Sequence, residues 1–159
     1  FEKLSTENKK VKLLLVGPFE EDLDPLQEKT KTTIINNKQI ISVGYQNDVR
    51  PYFAIANALA FPSYREGFPN VVMQAGSMCL PSIVSDINGC NEIIVNGENG
   101  IIVPVKNISA LKKEMQRLFE DISLFQKLKS NSRSLLAARY EQDLVWRAIL
   151  DEYKKLLNE

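Results

Sequence analysis

Few residues in this chain combine reactive types with a useful spacing. An acid, Glu66, stands beside Gly67 in a polar loop from Pro62 to Pro69, and Gln74 follows eight positions after the acid. The surrounding stretch, FPSYREGFPNVVMQAGSMCLPSIVSD, reads as a strand end, the loop, a helix from about Asn70 to Cys79, and a second strand, Ser82 to Ser85. A parallel sheet places its ligands at such strand-to-helix crossings, outside the carboxyl ends of the strands. A helix start offers uncommitted N–H groups and a partial positive charge, which suits a phosphate. At ~1.5 Å rise per residue, Gln74 lies about 6 Å along the axis from a start near Asn70. Glu66 and Gln74 therefore bracket the N–H groups of Asn70, Val71 and Val72. A ligand with a polar head, a phosphate and a polar tail matches that spacing. A nucleoside diphosphate sugar is one: its sugar hydroxyls would meet Glu66, its diphosphate the helix end, and its ribose diol Gln74.

The same residues have a plainer reading. Glu66-Gly67 can be an ordinary turn, with Gly67 supplying only a positive φ. Asn70 can be an N-cap, Phe68 a core anchor and Gln74 a solvated helix position. Spacing alone leaves both readings open.

The 159 residues contain no histidine. That removes the usual general base near neutral pH and the commonest metal ligand. A Ser-His-Asp triad is excluded within the chain, and two cysteines cannot complete a structural zinc site. Any chemistry falls to carboxylates, amides and backbone dipoles, or to groups supplied from elsewhere. Cys79 and Cys90 lie in unrelated contexts and are expected as reduced thiols of a cytoplasmic protein. Lys plus Arg and Asp plus Glu both total 20, so no chain-wide nucleic-acid surface is expected. No apolar run approaches the roughly 20 residues of a membrane span. The length suits one domain, 1–159, burying roughly 70% of its unfolded surface.

The elements that must position the loop alternate in type. Phe1 to Lys10 reads as the tail of a helix. Val11 to Gly17 is a near-continuous apolar run, expected as a strand covered on both faces. Asp24-Pro25 fits a helix start, and Leu26, Ile34 and Ile35 give that helix a thin apolar stripe. Gln39 to Val43 is a second strand, followed by a Tyr45-Gln46 loop, and Asn47 or Asp48 can cap the helix VRPYFAIANA. Ala58 to Phe61 is the third strand. After Asp86 come an Asn88-Gly89 turn, a short helix from Cys90 to Val95, a glycine-rich turn and a last strand, Ile101 to Val103. The remainder is helical: one helix capped by Asn107 or Ser109, a second over about Ser123 to Arg139, and a third over about Gln142 to Leu157. On the third, Leu144, Val145, Ala148, Ile149, Tyr153 and Leu156 form one face. Trp146 points elsewhere and is expected to cover a flank of this domain, with packing on a second domain as the alternative. Five strands alternating with helices argue for an α/β, doubly wound parallel sheet.

The segment EGFPNVVMQAGSMCLPSIVSDINGCNEII, followed by GENGIIVP, resembles the C-terminal, donor-binding half of retaining glycosyltransferases of family 4, the group 1 glycosyl transferases. These have the GT-B architecture of two Rossmann-like domains facing a cleft. LLLVGP and VGYQNDVRPYFAIANALAFPS extend the similarity upstream, so it covers about 11–105 well. The family hallmark is Glu-x7-Glu. The resemblance makes Glu66 its first acid, in contact with the donor sugar as the catalytic carboxylate. It lays the backbone of Gly67, Phe68, Pro69, Asn70 and Val71 along sugar and phosphates. It places the backbone of Tyr45 and Gln46 at the base. The second acid falls on Gln74, a departure that replaces a charge-assisted bond to the ribose with a neutral one. That difference is worth roughly 1 kcal/mol, or under about tenfold in affinity.

The family's Arg and Lys clamp on the diphosphate would lie before Phe1, as would the first strand and the acceptor domain. Arg65 and Lys106 could substitute only by charge, and each reads as a solvated residue. The implied activity is transfer of a sugar from a nucleotide diphosphate sugar to an acceptor hydroxyl, in polysaccharide or glycolipid assembly, with no metal cofactor. The acceptor glycan or glycolipid would reach the site through the N-terminal domain. The parent enzyme is expected in the cytoplasm, at most peripheral at the inner membrane face, and this chain alone is expected to be inactive. Two other classes stay in view: a nucleotide-sugar epimerase of the same architecture, and a non-catalytic nucleotide-sugar-binding module marked by Gln74.

Overall fold

The computed structural model describes residues 1–19, 22 and 25–157. The chain divides into two compact units, Phe1–Ala56 and Asn57–Glu159.

The first unit opens with α1 (Glu2–Glu7), followed by β1 (Leu13–Leu15), α2 (Glu28–Asn36), β2 (Ile40–Ser42) and α3 (Arg50–Ile55). β1 and β2 pair in parallel, Leu13 opposite Ile40 and Leu15 opposite Ser42. The pairing runs on past both strands, because Val43 donates to the Leu15 carbonyl and Gly17 to that of Gly44. Gln39 ties the entrance of β1 with its side-chain amide on the carbonyls of Asn8 and Val11. β1 is not covered on both faces as its apolar run predicts: all three residues are half-buried. The neighbouring α2 explains this in part, since it buries no residue and leaves Ile35 81% exposed. That outer position was legible in its thin apolar stripe. α2 begins at Glu28, later than Pro25, because the Gln27 carbonyl takes the first helical N–H groups, those of Thr30 and Lys31. Asp24 lies outside the described residues. Val49, not Asn47 or Asp48, is the N-cap of α3 and makes no side-chain cap bond, while Asp48 just before it accepts the Arg50 N–H at 3.0 Å. α3 ends at Ile55, short of its apolar pattern, because Ala56 is extended.

The second unit holds β3 (Leu59–Phe61), α4 (Asn70–Ser77), β4 (Ser82–Ser85), α5 (Cys90–Ile93) and β5 (Gly100–Val103). Three longer helices follow: α6 (Ile108–Glu120), α7 (Ile122–Tyr140) and α8 (Gln142–Leu157). The sheet is parallel with order β3-β4-β5, so β4 is central and all four of its residues are buried. Alternation along β4 sends neighbouring side chains to opposite faces. Val84 joins Val72, Cys90, Ile93, Ile94 and Leu136 on the α4 and α5 side. Ile83 joins Ile101, Val103, Leu118 and Leu128 on the α6 side. α7 contributes Leu128 to one cluster and Leu136 to the other, so it closes both faces. Its buried Ser132 donates to the Asn99 carbonyl between them. This is the α/β doubly wound arrangement the alternating pattern predicts.

Local chemistry fixes the ends. α4 stops at Ser77, two residues before the predicted end. Cys79 adopts a left-handed φ of 59°, its N–H reaches the Gly76 carbonyl, and that of Leu80 reaches Ala75. This is the Schellman closure, with cysteine where glycine is usual. α5 stops at Ile93 because Ile94 is extended. Asn107 caps α6 by accepting the Ala110 N–H, and Asp121 caps α7 through Leu124. The expectation that Trp146 covers a flank is not met. Trp146 is 58% exposed and α8 buries no residue, so its apolar face lies open along its length. No helix among the described residues is long and apolar enough to cross a membrane.

Candidate functional site at the start of the fourth helix

β3 feeds the loop from Pro62 to Pro69, and α4 leaves it. Three contacts hold the loop. The Ser63 hydroxyl donates to Glu66 Oε1 at 2.7 Å, so the half-buried acid is fixed within its own turn. The Phe68 ring meets Tyr140 edge-on, with centroids 5.4 Å apart, and the Tyr140 hydroxyl donates to the Glu92 carbonyl at 3.0 Å. Behind the loop lies Gly89, with φ +76°, where a Cβ would stand 2.2 Å from the Gly67 carbonyl oxygen and 2.8 Å from Pro69 Cδ. Only glycine fits there, by conformation and by space. The Gly89 N–H in turn donates to Glu92 Oε1 at 3.2 Å.

The helix end differs from the prediction in one respect. Pro69, not Asn70, is the N-cap, and its carbonyl accepts from Val72 at 3.1 Å and Met73 at 3.4 Å. The Val72 N–H is therefore committed and leaves the predicted set of three. Asn70 occupies the first helical position with its side chain exposed. Among the described residues, the N–H groups of Asn70 and Val71 have no protein acceptor, and neither do those of Gly67 and Phe68. Pro69 contributes no N–H to this run. Two adjoining helical donors, two loop donors and the positive end of α4 thus lie uncommitted beside a fixed carboxylate. That set can hold an anion and accept hydroxyl hydrogen bonds next to it. Gln74 is exposed on the second turn, and Val71 is half-buried against the α4-side core.

Cys90 is 0% exposed, and its thiol is pushed up to about 11, first by burial and then by the Glu66 charge. The thiol is thus neutral at ordinary pH and a poor nucleophile. Arg65 is exposed. Among the described residues no group of three or more His, Cys, Asp or Glu could hold a metal ion.

Tyr45 and Gln46 belong to the first unit. Tyr45 is exposed, and the Gln46 side-chain amide donates to the Val43 carbonyl at 2.8 Å, which fixes that short loop. Close by, the Arg50 guanidinium beside Asp48 holds its carboxyl at about 2.

Sequence reasoning missed Ser63, Gly89 and Tyr140 as parts of the site. Gly89 carried a signal in its Asn88-Gly89 turn, but the turn's packing partner, the Gly67 carbonyl, is distant in sequence. Ser63 and Tyr140 carried none, since each acts through one contact that only the fold creates.

The fold is that of a Rossmann-like domain of the GT-B type. The family model for glycosyl transferases group 1 matches residues 1–135, and the chain belongs to that family. It is 27% identical over 149 residues to the capsular polysaccharide biosynthesis glycosyltransferase CapM of Staphylococcus aureus. That alignment covers 94% of this chain and 39% of CapM, so the chain spans about two fifths of that relative. The crystal structure of Anabaena Alr3699/HepE in complex with UDP-glucose superposes with a TM-score of 0.85 at 20% identity, covering 97% of this chain and 43% of that one. The C-terminal domain of the group 1 glycosyl transferase LpcC from Francisella tularensis superposes with a TM-score of 0.77 at 22% identity, covering 88% of this chain and 75% of that domain. The expected family and fold are thereby met.

Proposed function

We propose that this chain is the donor-binding half of a retaining glycosyltransferase. It would seat a nucleotide diphosphate sugar for transfer to an acceptor hydroxyl in polysaccharide or glycolipid assembly. One observation carries the reading: Glu66 is held by Ser63 beside the uncommitted N–H groups of Asn70 and Val71. Family membership and the UDP-glucose bound by Alr3699/HepE support it. In this reading Glu66 accepts hydrogen bonds from the donor sugar and is the catalytic carboxylate. The backbone of Gly67, Phe68, Asn70 and Val71 holds the diphosphate as negative charge grows on it during transfer, and Pro69 shapes that path. Gln74 meets the ribose. An aligned backbone donor aimed at developing charge is worth about 3 kcal/mol in such sites. No divalent ion is assigned to the diphosphate. The acceptor enters from a separate N-terminal domain, so this chain alone binds donor and transfers nothing. The work is done in the cytoplasm, on the inner face of the membrane where the acceptor is lipid-linked.

The test is saturation-transfer NMR of the chain against a panel of nucleotide sugars, with Glu66→Ala beside the native protein. The reading expects at least one nucleotide sugar to bind, with EDTA without effect and the sugar-ring signals lost in the variant. Binding that survives Glu66→Ala with the sugar signals intact refutes the role of Glu66.

A further inference from the structure

A second recess opens at the carboxyl ends of β3, β4 and β5, on the α6 side of the sheet. Its volume is about 170 Å³, and its walls include Tyr64, Ser85, Lys106, Asn107, Ile108 and Leu111. A water molecule in the liquid occupies roughly 30 Å³, so the space suits a polyatomic group.

Four observations give the recess one chemical character. Lys106 Nζ stands 5.2 Å from the centre of the Tyr64 ring, and no carboxylate among the described residues pairs with it. A ring face holds an ammonium in place without neutralising it. Secondly, the 13-residue α6 starts here. Asn107 occupies the Ala110 N–H with its side chain and the Leu111 N–H with its carbonyl, which leaves those of Ile108 and Ser109 without a protein acceptor. Thirdly, Ser85 is 2% exposed, yet its hydroxyl makes no hydrogen bond to a described residue. β4 alternation sends it to the same face as Ile83, beside its register partner Val103 in the wall of the recess. Lastly, Lys106 adopts φ +57°, a region uncommon for a lysine, and this places it at the mouth.

We propose that this recess is an anion subsite for a phosphoryl group, separate from the Glu66 seat. The Lys106 ammonium supplies the charge, the Ile108 and Ser109 N–H groups and the Ser85 hydroxyl donate, and Leu111 and Ile108 line an apolar exit. That exit suits the chain of an alkyl phosphate. The phosphoryl group could thus arrive as free phosphate or at the head of a lipid-linked molecule. Tyr64 is two residues from Glu66 on one loop, so an occupant here would steady the loop that carries the acid.

The test is a ¹H–¹⁵N NMR titration of the full chain with inorganic phosphate, and in parallel with a short alkyl phosphate. The Ile108 and Ser109 amides are expected to shift in at least one titration. Lys106→Gly, which removes the charge and relieves the positive φ, should weaken binding about tenfold. Ser85→Ala should weaken it by a smaller factor. Tighter binding of the alkyl phosphate assigns a lipid-linked source, and equal binding assigns free phosphate. Absence of Ile108 and Ser109 shifts in both titrations, or shifts that persist undiminished in Lys106→Gly, would overturn the proposal.

Discussion

Glu66 is the residue on which the donor reading turns, and its position is set by one short bond. The Ser63 hydroxyl fixes Oε1 at 2.7 Å and leaves the other carboxylate oxygen without a bond to a described residue. Ser63→Ala should therefore weaken nucleotide-sugar binding by a few fold, while Glu66→Ala abolishes the sugar contribution altogether. Isothermal titration of both variants with the same donor checks the order. Gln74 is a different case. It is exposed and marks the one departure from the family hallmark, so Gln74→Glu should tighten donor binding by under about tenfold if it meets the ribose. Cys90 gives a pH signature of the same neighbourhood. Its thiol sits near 11, above its ordinary value of 9.0, so from pH 9 upward the unfolded chain releases a proton that the folded chain keeps. The contribution is fully present below pH 9 and is lost as pH rises through 11. Chemical unfolding across that window should show native stability falling more steeply than that of Cys90→Ala. At this scale the sequence was informative about charge and poor about support. Glu66 and Gln74 stood out by type and spacing, whereas Ser63, Gly89 and Tyr140 act through contacts that form only after folding.

Among the elements, α4 and the glycine behind its loop bear most directly on the site. A Cβ at Gly89 would collide with backbone, the Gly67 carbonyl oxygen at 2.2 Å, and φ +76° strains any other residue. Gly89→Ala should cost about 1–3 kcal/mol and displace the loop, so donor affinity falls along with the melting temperature. Gly76, within α4 itself, is the contrast. There a Cβ meets only Leu136 Cδ1 at 2.8 Å, the far end of a side chain, so Gly76→Ala should cost less and leave donor binding intact. Calorimetry of the pair checks both. The elements themselves were largely legible. β4 and α8 fall where hydrophobic runs and periodicity put them, because β4 is buried on both faces and α8 has a continuous apolar stripe. The ends were less so. Asn70 has the chemistry of an N-cap, but the preceding Pro69 already has the extended backbone and the carbonyl that cap α4. That one-residue difference commits the Val72 N–H and leaves those of Asn70 and Val71 free.

Taken whole, the chain concentrates its buried apolar residues in the second unit, around β4, while the strands of the first unit are at best half-buried. Amide exchange should follow that division. The β4 amides should exchange slowest, near the global limit, and those of β1 and β2 faster, through local opening. The alternating pattern predicted one doubly wound sheet of five strands; all five strands are present, pairing in parallel as β1-β2 in the first unit and β3-β4-β5 in the second. It did not predict the poor cover of the first pair or the open face of α8. Period and composition report which side of an element is apolar, not whether anything lies against it. The central claim is that α4 presents uncommitted N–H groups to a phosphate beside a fixed acid. Its most direct test is a ¹H–¹⁵N NMR titration of the chain with a nucleotide diphosphate sugar. The account predicts the largest shifts at the Asn70 and Val71 amides, with little change at Val72, whose N–H is already bonded to Pro69. A donor that binds while the Asn70 and Val71 amides stay unmoved would contradict it.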